Sequence, residues 1–86
     1  MPQLTSFYGI VIYLYFFDHN PPHFHARYGN EEVVISILDL TELYGHIPKR
    51  AFSLVIEWAS QHRTELLDNW ERCQQGLLPQ KINPLP

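Results

Sequence analysis

The sequence has one cysteine, few charged residues and no long apolar run. Cys73 is the single cysteine among 86 residues, so an internal disulfide is excluded, and this composition suits a reducing compartment. The longest apolar run covers residues 7–17, whereas a membrane-spanning helix requires about 20 residues. The N-terminal residues also lack the pattern of a secretory signal peptide. We therefore expect a cytosolic protein.

An excess of basic residues is also absent. Six Lys and Arg residues stand against nine Asp and Glu residues, which gives a net charge of −3. This balance argues against unspecific nucleic-acid binding, which requires a positive field, although it is compatible with a local basic patch. The 45% hydrophobic and 14% aromatic content is typical of a folded chain, and the length predicts one domain. We expect a compact domain over residues 1–76 and a proline-rich tail over 77–86 that docks on it.

Residues with a preference for β-structure fill the first half of the chain. The apolar run 7–17 predicts a first strand, in which Gly9 marks a bulge or bend. A second strand is predicted over 23–28 and, after the turn signal Gly29-Asn30, a third over 31–38. A short further strand at 42–44 is an alternative to a connector.

The second half of the chain shows helical spacing. Pro48 suits the first position of a helix, and apolar residues then recur every three or four positions from Phe52 to Ala59. We expect this helix to end near His62-Arg63, because cations suit a helix C-terminus. Thr64 can cap a second helix that Gly76 ends, and a single bent helix over 48–75 is the alternative. The predicted fold class is α+β. It consists of an antiparallel meander of three strands, or four with residues 42–44, followed by two helices packed on one face.

Three of the five histidines lie in the segment 18–25, around two prolines. On a strand, residues two apart point to the same face, so His23 and His25 project together. A pair of imidazoles suits zinc, nickel, copper or iron, and His19 or Asp18 could supply a third ligand from the proline turn. The segment therefore predicts a site for a divalent transition metal.

Two other interpretations of this segment remain open. The histidines could form hydrogen bonds to the backbone or to Asp18, because Asp and Asn favour turns. They could also act as general acid and base, because histidine titrates near neutral pH. Arg27 shares their face on an unbroken strand, and the cations near the first helix could hold phosphate with free helix amides. The candidate catalytic residues are His23, His25, Arg27, Lys49 and Arg50.

Several segments together resemble a known family. They are Phe7-Tyr8-Gly9-Ile10, the block Asp18 to Ala26, Pro48-Lys49-Arg50-Ala51, Glu57-Trp58-Ala59, His62-Arg63, Glu65-Leu66 and Asn69-Trp70. Across nearly its whole length the chain is similar to the small bacterial family called domain of unknown function 4160. The resemblance implies a compact cytosolic bacterial protein, and a partner encoded by an adjacent gene in a toxin–antitoxin-like module.

Three functional hypotheses follow. The first is a component of such a module that binds a partner protein or RNA through the histidine-rich face. In an RNA-cleaving version, His23 and His25 would act as general base and general acid. The second is a metal-binding protein or metal-dependent enzyme. The third is a non-catalytic interaction domain that forms a homodimer through aromatic residues partly exposed on an edge strand, namely Tyr13, Tyr15 and Phe17.

Overall fold

The computed structural model describes residues 1–86, which form an antiparallel sheet followed by two helices. The strands are β1 (Gln3–Phe7), β2 (Ile10–Tyr13), β3 (His23–Tyr28), β4 (Glu31–Ser36) and β5 (Glu42–Gly45), and the helices are α1 (Lys49–Gln61) and α2 (Arg63–Gln74). Each strand is hydrogen-bonded to its neighbours in the order β1-β2-β3-β4-β5. The α+β class is therefore confirmed. The predicted count of three or four strands is wrong, because the sheet has five.

The extra strand arises because the predicted first strand is two strands joined by a tight turn. Tyr8 and Gly9 have φ values of 49° and 81°. Two consecutive positive φ values are the geometry of a type I′ hairpin turn, which glycine favours. β1 therefore begins at Gln3, before the apolar run, and β2 ends at Tyr13. Gly9 reverses the chain instead of forming a bulge within one strand.

The other strands agree closely with the sequence. β3 has the predicted bounds, β4 ends two residues early at Ser36, and β5 is the short strand given as the alternative to a connector. The Gly29-Asn30 turn joins β3 to β4 with Tyr28 opposite Glu31. This register places His25 between Tyr13 of β2 and Val34 of β4.

The helices cover one face of the sheet. Phe24 and Ala26 of β3 are fully buried on that face, in one apolar core with residues of both helices. Trp58 of α1 is 0% exposed and belongs to this core. Residues of β3 that alternate with Phe24 and Ala26 point to the opposite face, where the histidines lie.

The helix boundaries differ slightly from the prediction. Pro48 precedes α1 as its N-cap residue, and His62 separates α1 from α2, so a single bent helix is wrong. α2 ends at Gln74, and Gly76 follows with a φ of 77°. Neither helix has the length and apolar character needed to cross a membrane. Residues 77–86 contain no helix or strand, and they lie against the body with Ile82 and Leu85 buried.

Candidate metal centre

The start of β3 supplies two buried imidazoles. His23 and His25 are 3% and 5% exposed, and they share the sheet face opposite Phe24. The ring of His25 stacks on Tyr13 with a centroid distance of 5.0 Å, and the ring of His23 lies 5.1 Å from that of Trp70. Each imidazole therefore packs against an aromatic ring from another element of the fold.

The loop between β2 and β3 brings Asp18 to the same point. Its backbone is tied to the end of α2, because Phe17 N–H donates to Cys73 O at 3.2 Å and Gln74 Nε2 donates to Asp18 O at 2.8 Å. The Asn20–Pro21 peptide bond in this loop is cis. The Asp18 carboxylate in this loop faces His23 and His25.

One oxygen of Asp18 faces both imidazoles. Asp18 Oδ2 lies 2.8 Å from His23 Nε2 and 3.5 Å from His25 Nε2. The three ligand atoms all lie within 4.8 Å of one another. Two ligands of a tetrahedral zinc ion, each about 2.1 Å from the metal, are about 3.4 Å apart. The 2.8 Å contact is a hydrogen bond between His23 and Asp18, and a bound metal ion would take the place of its proton. The three side chains are close enough together to hold such an ion between them.

Outer hydrogen bonds orient both imidazoles. His23 Nδ1 lies 2.7 Å from Pro21 O, a carbonyl that can only accept, so Nδ1 carries the proton. His25 Nδ1 lies 3.3 Å from Glu32 Oε2, and Tyr13 Oη donates to the other oxygen of Glu32. In metal sites, a carbonyl or carboxylate commonly accepts from the far nitrogen of a ligating histidine. Here this arrangement turns both Nε2 atoms toward Asp18.

The backbone of Glu32 in β4 lies in close contact with the end of β5. Gly45 of β5 has a φ of 82°, and a Cβ at this position would lie 2.3 Å from the main-chain oxygen of Glu32. His46 N–H donates to the same oxygen at 2.8 Å. The absence of a side chain at residue 45 therefore allows β5 to pack against Glu32.

His25 Nε2 is buried and has no hydrogen-bond partner. An unpartnered buried polar atom costs about 1–3 kcal/mol. Such atoms are rare in native proteins, and a bound ion is one common reason for them. Since its lone pair faces Asp18 and His23 Nε2, a cation placed among the three atoms would satisfy it.

Two pKa shifts describe the electrostatics of the centre. Burial alone would raise the pKa of Asp18, but the His19 backbone N–H and the His23 side chain outweigh it, so the pKa is lowered. The carboxylate is therefore ionised at neutral pH, as a metal ligand must be. Burial, and then the hydrogen bond to Glu32, raise the pKa of Tyr13, which keeps its phenol neutral.

His19, the other candidate third ligand, points outward. Its side chain is 83% exposed, and its Nδ1 lies 3.1 Å from Asp18 Oδ1, the oxygen that faces away from the histidine pair. The His19 backbone N–H also donates to this oxygen at 2.9 Å. His19 thus lies beside the centre and fixes the orientation of Asp18, whereas Asp18 supplies the third inward atom.

The candidate cations lie in different places. Arg27 shares the histidine face of β3, and its guanidinium lies 5.5 Å from the centroid of the Tyr13 ring, a cation–π geometry. Lys49 and Arg50 are exposed at the start of α1, and Arg50 lines a cavity to which no histidine contributes. The structure therefore brings Arg27 near the histidines and places Arg50 at another surface. A catalytic role for these residues stays a prediction.

The aromatic residues expected at a dimer edge are arranged differently. Tyr13 is 1% exposed in β2, which has a neighbour on each side, so its predicted exposure on an edge strand is wrong. Tyr15 and Phe17 are 41% and 70% exposed, and both lie outside the strands.

Sequence reasoning missed Glu32 and Tyr13 as parts of the centre. The two-residue turn fixes the register of β3 with β4 and places Val34 opposite His25, so Glu32 is a diagonal neighbour of His25 on the same face. The position of Glu32 could therefore have been predicted from the turn. The pairing of Tyr13 with His25 could not, because it depends on the hairpin turn at residues 8–9 and on the loop between β2 and β3.

Comparison with known proteins gives a family without a biochemical function. No curated protein and no solved structure matches the chain. A family model does match, over residues 9–71, which include β2 to β5, α1, most of α2 and the three inward-facing side chains. The chain therefore belongs to the family described as Domain of unknown function (DUF4160).

Proposed function

We propose that this chain is a metal-binding protein that holds one divalent transition-metal ion between Asp18, His23 and His25. The observation that carries the proposal is the unpartnered His25 Nε2, which is buried and faces the other two ligand atoms. Two imidazoles and one carboxylate suit zinc, and they are also the ligand set of many iron(II) sites. Binding would satisfy the nitrogen and would neutralise the Asp18 charge.

Three protein ligands leave at least one coordination position for a small molecule. None of the three ligand side chains lines either cavity of the structure. Asp18, with a side chain 14% exposed, is the most accessible of them. These facts favour water or a similarly small ligand over a bulky substrate. They also favour a contribution of the metal to stability, because the ion would join the β2–β3 loop to β3.

Calorimetric titration of the untagged, chelator-treated chain with zinc tests this proposal. We expect one ion per chain for the wild type and no binding for His25→Phe, which keeps an aromatic ring against Tyr13 but removes the ligand nitrogen. His46→Ala is the matched control, because His46 is an exposed histidine outside the centre. His19→Ala should retain one ion per chain. Equal binding by the wild type and His25→Phe, or no binding by the wild type, would contradict the proposal.

The more specific function implied by the family resemblance, a toxin–antitoxin-like partner that binds protein or RNA, stays a prediction. RNA cleavage would require a phosphodiester to reach His23 and His25, whose side chains are 4% and 7% exposed. Growth arrest on overexpression, compared with the His23→Ala, His25→Ala double variant, checks it. Equal growth with both proteins would contradict the toxin hypothesis.

A further inference from the structure

The tail over residues 77–86 shows a period of three. Pro79 is half-buried, Ile82 and Leu85 are buried, and the residues between them are exposed. A polyproline II helix has three residues per turn and no internal hydrogen bonds. Three prolines within residues 79–86 favour this conformation. The burial pattern therefore indicates a polyproline II segment with one face against the body.

Side chains of the body bind every third main-chain oxygen of this segment. Asn69 Nδ2 donates to the oxygen of Gln80 at 2.9 Å. Trp58 Nε1 donates to the oxygen of Asn83 at 2.8 Å.

Tyr8 Oη continues the series, because it donates to the main-chain oxygen of Pro86 at 2.6 Å. Donors from a tryptophan and a tyrosine, spaced by one polyproline II turn, are suited to docking an extended proline-containing segment. The body thus already recognises one such segment, which belongs to its own chain.

A cavity of about 490 Å³ continues from the end of this segment. Leu85 and Pro86 line one side of it, and Tyr8, Tyr28 and Pro48 line others. Its volume lies within the usual range for ligand sites, roughly 300–1,000 Å³. Tyr8 therefore belongs both to the surface that holds the tail and to the cavity, so the two are continuous.

We propose that this cavity binds an extended, proline-containing peptide segment of a partner protein in the polyproline II conformation, beside the chain's own tail. The tyrosines and Pro48 provide the aromatic and proline surface on which such segments dock. The peptide lies along α1, with its prolines against the tyrosine rings. This binding surface is at the Tyr28 end of β3, and the metal centre is at the His23 end. The two proposals therefore rest on different residues and can fail separately.

Charges along α1 specify the peptide further. Arg50 and Glu57 both line the cavity and are seven residues apart on one helix, which corresponds to about 10 Å. Three residues of polyproline II cover about 9 Å. The preferred peptide therefore carries an acidic residue near Arg50 and a basic residue three positions away, near Glu57.

Titration of the full-length, ¹⁵N-labelled chain with the peptide Pro-Asp-Pro-Pro-Lys-Pro, followed by NMR, tests this inference. The matched control is Gly-Asp-Gly-Gly-Lys-Gly, which has the same charges without the rigid conformation. We expect amide shifts at Tyr8, Tyr28 and Leu54, and binding weaker by roughly tenfold or more for the glycine peptide. Arg50→Glu should weaken binding of the proline peptide by about twofold to fivefold, because Arg50 is exposed and exposed ion pairs contribute little.

Three results would overturn the inference. The first is the absence of shifts at millimolar peptide. The second is equal affinity for the proline and glycine peptides. The third is a shift at Asn83 as large as that at Tyr28, because it would show that the peptide replaces the tail instead of binding beside it.

Discussion

The two ends of β3 differ in how their polar groups are arranged. At the His23 end, the buried imidazoles of His23 and His25 lie against the partly exposed carboxylates of Asp18 and Glu32, and one nitrogen, His25 Nε2, has no hydrogen-bond partner. At the Tyr28 end, the polar groups are exposed and surround an open cavity. A buried unpartnered atom costs free energy until something fills its position, whereas an exposed group is satisfied by water. One strand thus carries a site suited to an ion at one end and a surface suited to a larger ligand at the other.

Addition of zinc should separate the two ends most clearly. At one hundred times its dissociation constant, a ligand that binds only the folded state stabilises it by about 2.7 kcal/mol. For a domain of this size, that corresponds to a rise in Tm of roughly 10–20 °C. Differential scanning fluorimetry measures this rise. His25→Phe should show no rise, and Tyr28→Ala, at the other end of β3, should keep the full rise. An equal zinc-induced rise in Tm for both variants would contradict the claim that the ion binds only at the His23 end.

Removal of the Tyr13 hydroxyl should have a smaller effect that depends on pH. Tyr13→Phe loses the hydrogen bond to Glu32, and hydrogen bonds to charged groups contribute about 2 kcal/mol. Because the pKa of Tyr13 is raised in the folded protein, its contribution is complete at neutral pH and is lost as the pH rises above about 10. Urea unfolding should therefore show a difference between wild type and variant that narrows in alkali.

Tyr44→Phe is the control for this prediction, because Tyr44 is 60% exposed. It should change the free energy of unfolding by less than about 0.5 kcal/mol at every pH. A Tyr13→Phe difference that stays constant from pH 7 to pH 11 would contradict the role assigned to the buried phenol.

The smallest effect is expected at the open end. Tyr8→Phe removes the hydrogen bond to Pro86, but Tyr8 is 60% exposed, so the free energy of unfolding should change by less than about 0.5 kcal/mol. The methyl resonances of Leu85 should shift, whereas amide hydrogen exchange should stay unchanged at Ile82, whose N–H donates to Leu4. Faster exchange at Ile82 would show that the tail moves as one unit.

Local signals predicted the parts of the fold that depend on neighbouring residues. The turn Gly29-Asn30 and the alternation after it gave β3 and β4 almost to the residue, and the same alternation placed His23 and His25 on one face. The hairpin at Tyr8 was missed, because an apolar run covers the turn and tyrosine is not a usual residue for a positive φ. The missed hairpin accounts for one strand of the difference. The undecided assignment of residues 42–44 accounts for the other.

The candidate centre was predictable in part. His23, His25 and Asp18 came from their spacing around the prolines, but the sequence did not decide between Asp18 and His19 as the third ligand. That choice depends on the loop, which α2 holds through Gln74. Lys49 and Arg50 were grouped with the histidines because cations beside an acid–base pair could stabilise the charge of a phosphate. Their position at the start of α1, with Arg50 lining the other cavity, follows from helix packing that spacing does not report.

X-ray absorption spectroscopy of the zinc-loaded chain tests the central claim most directly. The predicted first shell contains two imidazole nitrogens and one carboxylate oxygen at about 2.0–2.2 Å from the metal, completed by a light atom from solvent. His25→Phe should lose one imidazole or fail to load. A shell of three imidazoles, which would include His19, or a shell of solvent oxygens alone would contradict the account.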